Sequence, residues 1–182
     1  MAKLATIALA ALASLVASHA GAADGWLRDG SPLKKQPNTA TSGGFAVMQF
    51  ATNQPDRVMG DWEKPGASVT LSMATQTPRN SPLVTFVLFR GCRADAKGNC
   101  NVTADYETTS PSGKRYDQTR GAEIWVGRRP PPERALQLSA SAYGLVFEDK
   151  DAAGTYLVRA TITDHVSGAT LHTEQKLTVV GK

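Results

Sequence analysis

From Phe45 onward, apolar and polar side chains alternate in short runs separated by turn residues, the period of strands with one buried face. Phe45 to Ala51 reads as a first strand. Val69, Leu71 and Met73 alternate with Thr70 and Ser72, and Cys100, Val102, Ala104 and Tyr106 alternate with Asn101, Thr103, Asp105 and Glu107. Leu83 to Phe89 is almost continuously apolar, which predicts a central strand covered on both faces. Ile124 and Val126 are expected on one side of a strand, with Glu123 and Trp125 on the other. Leu136, Leu138, Ala140 and Ala142 repeat the alternation, as do Tyr156, Val158, Ala160 and Ile162. Leu171, Leu177 and Val179 supply a last strand.

The punctuation between these runs is that of turns: Ser110–Gly113, the acidic stretch Glu148–Gly154, and Ser167-Gly168. Arg129-Pro130-Pro131-Pro132 cannot pair as a strand and predicts a stiff, extended loop. One short helix is expected near residues 55–64. A polar stretch with Pro55 and Asp56 opens it, Val58, Met59 and Trp62 lie within it, and Pro65-Gly66 stops it. About eight short strands with one short helix predict an all-β fold, an antiparallel sandwich or barrel. No helix follows each strand, so a parallel α/β sheet is excluded as the expectation.

The chain's start has a different pattern. Lys3 precedes an unbroken apolar and small-residue run from Leu4 to Val16, and small residues follow at Ser18, Ala20 and Ala22. This is the layout of a secretory signal, with cleavage expected after Ala22 or, second, after Ala20. Residues 23–43 are rich in Gly, Ser, Thr and Pro and predict a flexible leader with Trp26 as its docking anchor, leaving 44–182 as the folded domain. No later run is long and apolar enough to span a membrane. Export across a bacterial inner membrane into the periplasm, or beyond, is therefore the expected address.

Export changes how the two cysteines are read. Cys92 and Cys100 are the only pair outside the leader and would meet an oxidising compartment. The polar segment between them predicts a β-hairpin stapled at its base, since paired strands lie about 5.5 Å apart, within disulfide range. The net charge of +4 is scattered in small pairs such as Lys34-Lys35, Lys114-Arg115 and Arg128-Arg129. A nucleic-acid partner would require a dense basic stripe, so none is expected.

The stretch Asp151-Ala152-Ala153-Gly154-Thr155-Tyr156-Leu157-Val158, with Ala160 and Ile162-Thr163-Asp164, resembles the penultimate strand of immunoglobulin-like and fibronectin-like domains. The resemblance implies that the Tyr156 hydroxyl ties the strand to the preceding corner. It departs in that Asp151 stands five residues before Tyr156, and Val158 stands where antibody-type domains carry Cys. Phe86 through Cys92 and Gly98 through Tyr106 are also similar to a group of exported bacterial proteins. That likeness implies a location and an immunoglobulin-like β-sandwich, and no chemistry.

No catalytic constellation is visible. There is no G-x-S-x-G elbow, and paired cysteines leave no thiol nucleophile. No cofactor is implied. His165 and His172 flank the Ser167-Gly168 turn. In a two-residue hairpin they would be diagonal neighbours about 7 Å apart, a weak metal pair against the simpler reading of surface histidines. Trp125, followed by Arg128, Arg129 and Pro130–Pro132, has the make-up of a binding edge, an aromatic beside arginine and a low-entropy loop. The competing reading packs Trp125 into the fold. The expected function is thus a non-catalytic binding or accessory module for a protein or cell-envelope partner. The alternative is an inhibitor of a hydrolase such as a lysozyme or protease, with Arg93 and Lys97 on the stapled loop entering a cleft, or, third, a histidine-based metal carrier.

Overall fold

The computed structural model describes residues 27–28, 31–32, 36–64, 71–133 and 135–181. The expected signal peptide, Trp26 and Val69 lie outside them. In chain order the elements are β1 (Leu27–Arg28), β2 (Ser31–Pro32), β3 (Thr39–Ser42), β4 (Phe45–Thr52), α1 (Pro55–Trp62), β5 (Gln76–Pro78) and β6 (Pro82–Arg90). There follow β7 (Cys100–Thr109), β8 (Arg115–Arg128), β9 (Gln137–Leu138), β10 (Tyr143–Val146), β11 (Gly154–Asp164) and β12 (Ala169–Val180).

β1 and β2 pair with each other. The rest form two sheets, one ordered β10-β6-β4-β3 with β9 also on β6, the other β5-β12-β11-β7-β8. All pairs are antiparallel except β5 on β12. Strands β4, β6 and β10 take the places of A, B and E of an immunoglobulin sandwich. β7, β11 and β12 take those of C, F and G, and β8 extends that sheet as C′. The fold is an all-β, immunoglobulin-like sandwich. Val158 is fully buried at the position where antibody-type domains place a cysteine, and the Tyr156 hydroxyl donates to the Ala152 carbonyl at 3.0 Å, closing the corner before β11.

The inward residues of both sheets make the main core: Val47, Leu83, Val87 and Phe89 face Val102, Tyr106, Val158, Ile162 and Leu177. Polar pairs cross it: Thr108 of β7 meets the Tyr143 hydroxyl of β10 at 2.8 Å, and Gln49 of β4 meets β11 and β12. Gln49, fully buried, accepts from the Thr173 hydroxyl at 2.7 Å and donates to the Val158 carbonyl at 3.3 Å, so its amide is satisfied inside the sandwich. A second, smaller cluster lies on the far side of the first sheet, where Phe50, Phe86, Leu88 and Leu138 are covered by Val58 of α1. This cover explains the continuous apolar run in β6. Leu83, Val87 and Phe89 face the main core, while Phe86 and Leu88 face the helix.

Several expectations are corrected. Thr39–Ser42, assigned to the leader, is a strand on β4. Leu71 and Met73 lie in no strand, and the short strand here begins at Gln76. The run Leu136–Ala142 contributes only the two residues of β9, and the longer pairing starts at Tyr143. Cys92 and Cys100 form their disulfide, with Cα atoms 6.0 Å apart, but do not staple a hairpin. β6 belongs to one sheet and β7 to the other. The segment between them crosses the sandwich end, so the bond ties the two sheets together.

Candidate binding site

β8 is the outermost strand of its sheet and carries four register breaks against β7. Two fall at Gly127 and Gly121, whose φ of 66° and 65° are the left-handed values a bulge requires. A third leaves Ile124 without a partner between Glu123, opposite Thr103, and Trp125, opposite Val102. Val102 faces the core, so Trp125 does too. Ile124 is fully buried and Trp125 is half-buried against Phe89, with ring centroids 5.6 Å apart. The expectation that Ile124 and Trp125 point to opposite sides is therefore wrong, because a bulge resets the two-residue period.

Trp125 instead acts as a pedestal. The Arg128 guanidinium lies over its ring, 4.9 Å from the centroid, and its indole N–H donates to the Arg129 carbonyl at 2.8 Å. The exposed Arg128 and Arg129, and the extended Pro130, Pro131 and Pro132 after them, thus leave the sheet in a fixed direction. Ser139–Ala142 doubles back against β8. The Ala140 N–H donates to the Ile124 carbonyl at 2.9 Å, and the Ser141 hydroxyl to that of Glu123 at 2.7 Å.

Between this segment and α1 lies an open groove of about 320 Å³. Met59, Trp62 and Glu63 form the helix wall, Phe86 and Leu138 line the base, and Trp125, Arg128 and Ser139–Ala142 close the other side. Met59 is 45% exposed, a large apolar side chain at the rim. The helix itself was legible in the sequence. That it walls a groove facing Arg128 was not, since no local signal says which sheet face a helix covers.

The Arg93–Asn99 loop is held from three directions. The disulfide closes its base. Asp95 accepts from the N–H groups of Lys97 at 2.8 Å and Asn99 at 2.9 Å, bonds that hold its carboxyl below the usual range, the Asn99 bond most. The Arg93 N–H donates to Asp164 at 2.9 Å. Asp164 is fully buried and also accepts from the Val166 N–H and the Ser167 hydroxyl. It couples this loop to the turn after β11. Sequence reasoning passed over Asp164, although a signal existed: it continues the inward phase of Tyr156, Val158, Ala160 and Ile162. The side chains of Arg93 and Lys97 remain exposed.

The two histidines do not come together. The turn spans four residues, 165–168, rather than two, closed by the Gly168 N–H on the Asp164 carbonyl at 2.8 Å. His172 therefore lies opposite Thr161 and contacts its hydroxyl at 3.2 Å, whereas His165 contacts Thr103 of β7 at 2.8 Å. The two imidazoles engage opposite flanks of β11, about two strand spacings or ~10 Å apart. Among the described residues no three His, Cys, Asp or Glu side chains are grouped to hold a metal ion. The acidic turn at 148–151 is likewise committed to itself. Asp151 accepts from the Tyr116 hydroxyl and the Glu148 N–H, both at 2.7 Å, and Lys150 pairs with Glu148.

No family model and no curated protein matches this chain. Among solved structures it is similar to a Niemann-Pick type C2 protein from the Japanese carpenter ant, with a TM-score of 0.38 and 9% identity over 58% of this chain and 79% of that one. It is also similar to the CARDB domain of the PF1109 protein from Pyrococcus furiosus, solved with di-metal ions, with a TM-score of 0.37 and 9% identity over 81% of this chain and 98% of that one. No feature of the site is transferred from either.

Proposed function

We propose that this chain is a non-catalytic binding module of the bacterial periplasm, capturing a protein or cell-envelope partner in the groove between α1 and Ser139–Ala142. The observation that carries the reading is Arg128. Its guanidinium is held over Trp125 at the mouth of a groove lined by Trp62, Phe86 and Leu138, and no carboxylate pairs with it among the described residues. A partner side chain entering the groove would bury apolar area at roughly 25 cal/mol per Å². An acid or carbonyl beside it would meet an arginine already fixed in place, which lowers the ordering cost of association. The disulfide suits an oxidising compartment, and among the described residues no helix is long and apolar enough to cross a membrane.

The test is site-resolved. A benzophenone side chain at Met59, in cells, is expected to give one discrete crosslinked product that disappears in Arg128→Glu. The same probe at Thr161, on the opposite sheet, is expected to give none. Equal products at both positions would overturn the groove. Intact mass of the envelope protein is expected to begin at Ala23. A mass retaining Met1 to Ala22 would overturn the address.

Hydrolase inhibition keeps one specific support, the threefold anchoring of the Arg93–Asn99 loop, since inhibitory loops gain affinity from rigidity. Loss of inhibition of a panel of lysozymes and proteases in Arg93→Ala/Lys97→Ala would establish it.

A further inference from the structure

The turns and loops at the two ends of the sandwich differ in charge. At the disulfide end the exposed loop charges are Arg93, Lys97, Arg128 and Arg129 against Asp95 and Glu133, with Asp164 buried beneath the Arg93 loop and Glu63 across the groove from Arg128. At the other end Arg79, Lys114, Arg115 and Lys150 are matched by Asp117, Glu148, Asp149 and Asp151. The few carboxylates at the first end do little to neutralise it. Both backbone bonds of Asp95 turn its carboxylate into its own loop, and no ion pair joins Arg93, Arg128 or Arg129 to an acid among the described residues.

These cations are held in place. Arg128 pairs across the ladder with Cys100, which is bonded to Cys92, next to Arg93. The Arg93–Lys97 pair and the Arg128–Arg129 pair therefore flank one disulfide, each on a backbone fixed by the bonds described above. Exposed like charges outnumber the exposed acids here, on rigid supports, an arrangement that costs stability unless an anion is bound. Resting on the groove reading, we infer that the captured partner is a protein whose contacting segment is acidic, its carboxylates meeting this end while an apolar side chain enters the groove at Arg128.

A protein segment fits better than an anionic membrane. The exposed apolar residues of these loops are Ala94, Ala96, Pro130, Pro132 and Leu136, one large side chain where insertion into a bilayer interface calls for a broad apolar face. The apolar surface lies instead in a groove beside the arginines.

The experiment uses the mature chain and a fluorescein-labelled peptide of about eight glutamates interrupted by one leucine, read by anisotropy. Saturable binding is expected, weakening about tenfold as salt rises from about 50 to about 300 mM. Arg93→Glu/Lys97→Glu and Arg128→Glu/Arg129→Glu are each expected to weaken it about tenfold, while Lys114→Glu/Arg115→Glu at the far end leaves it within about twofold. Among the described residues neither side chain of the first pair makes a hydrogen bond or ion pair, and an unchanged urea midpoint is expected to separate its loss from unfolding. Binding of the lysine counterpart, an equal loss in the far-end variant, absence of saturation, or preference for phosphatidylcholine vesicles containing phosphatidylglycerol would overturn the inference. The two readings fail separately. If an all-glutamate peptide binds as well and Trp62→Ala changes nothing, the acidic partner stands and the groove falls. If the Met59 crosslink survives Arg93→Glu/Lys97→Glu undiminished, the groove stands and the acidic partner falls.

Discussion

The first sheet turns Phe50, Phe86 and Leu88 away from the main core, and the second turns Thr103, Asp105, Thr161 and His172 away from it. The first set is buried beneath α1. The second faces outward and is hydrogen-bonded within itself: Thr103 to His165, Asp105 to Arg120 and Gly121, Thr161 to His172, and Arg159 to Glu174. A strand needs apolar residues on both faces only where something covers it. One helix of eight residues makes the first sheet three layers deep at that point and creates the groove at its edge, whereas the second sheet ends in polar side chains that need no cover. The chain's candidate for recognition is thus the covered face, at the margin of its cover.

The contrast is broken most directly by truncation. Phe50→Ala removes a ring that is fully buried and stacked on Phe86 at 5.7 Å. It is expected to cost about 3–5 kcal/mol, read as a lower urea midpoint with unchanged slope. Thr161→Ala on the other outer face is expected to cost no more than about 0.5 kcal/mol. Comparable losses at the two sites would mean that the faces are not energetically distinct. Removing the tie between the sheets comes next: Cys92→Ser with Cys100→Ser is expected to lose roughly 2–3 kcal/mol in the chain-entropy model.

The same contrast decides what the sequence could reveal. β6 reads as covered on both faces, and β7 and β11 as wet on one, because their residues keep a strict two-residue phase from end to end. β8 defeated that reading. Its bulges at Gly121, Ile124 and Gly127 each shift the phase, so Trp125 faces the core where simple alternation points it out. The cysteine pairing was legible, but its meaning was not. A separation of eight residues fits a hairpin and a crossover equally, and only the partners of β6 and β7 distinguish them. The histidine spacing depended on turn length, and a four-residue turn separates rings that a two-residue turn would have brought together. Gln49 and Asp164 were visible as polar residues in an inward phase, the mark of a buried hydrogen-bonding role.

A smaller effect sharpens the architecture. Tyr156→Phe keeps the buried ring, which packs against Phe147 at 4.5 Å, and deletes the bond to the Ala152 carbonyl. The expected loss is about 1 kcal/mol by urea unfolding. No loss would mean that the corner is held by packing alone.

The smallest effect belongs to the uncovered face, where water and salt weaken every charge. Asp105 accepts from the Gly121 N–H at 2.8 Å, which spans a bulge of β8, and from Arg120 at 2.9 Å. Both bonds favour the carboxylate, the backbone one most, and hold its pKa below the ordinary value. A group whose pKa is depressed on folding stabilises the fold above its unfolded value, about 3.9, and ceases to do so as pH falls through the folded value. Asp105→Ala should therefore be less stable than the parent at neutral pH, by a few tenths of a kcal/mol given its exposure. That difference should shrink, toward the part contributed by the uncharged bulge bond, as the pH is taken well below about 3.9, and should shrink in high salt. Asp105→Asn keeps an acceptor for the Gly121 N–H and loses the charge, so its difference from the alanine variant isolates the bulge bond and should not vary with pH. An Asp105→Ala deficit that persists unchanged into acid would mean that the side chain acts on this face through packing rather than charge, and the two outer faces would then differ in degree rather than in kind.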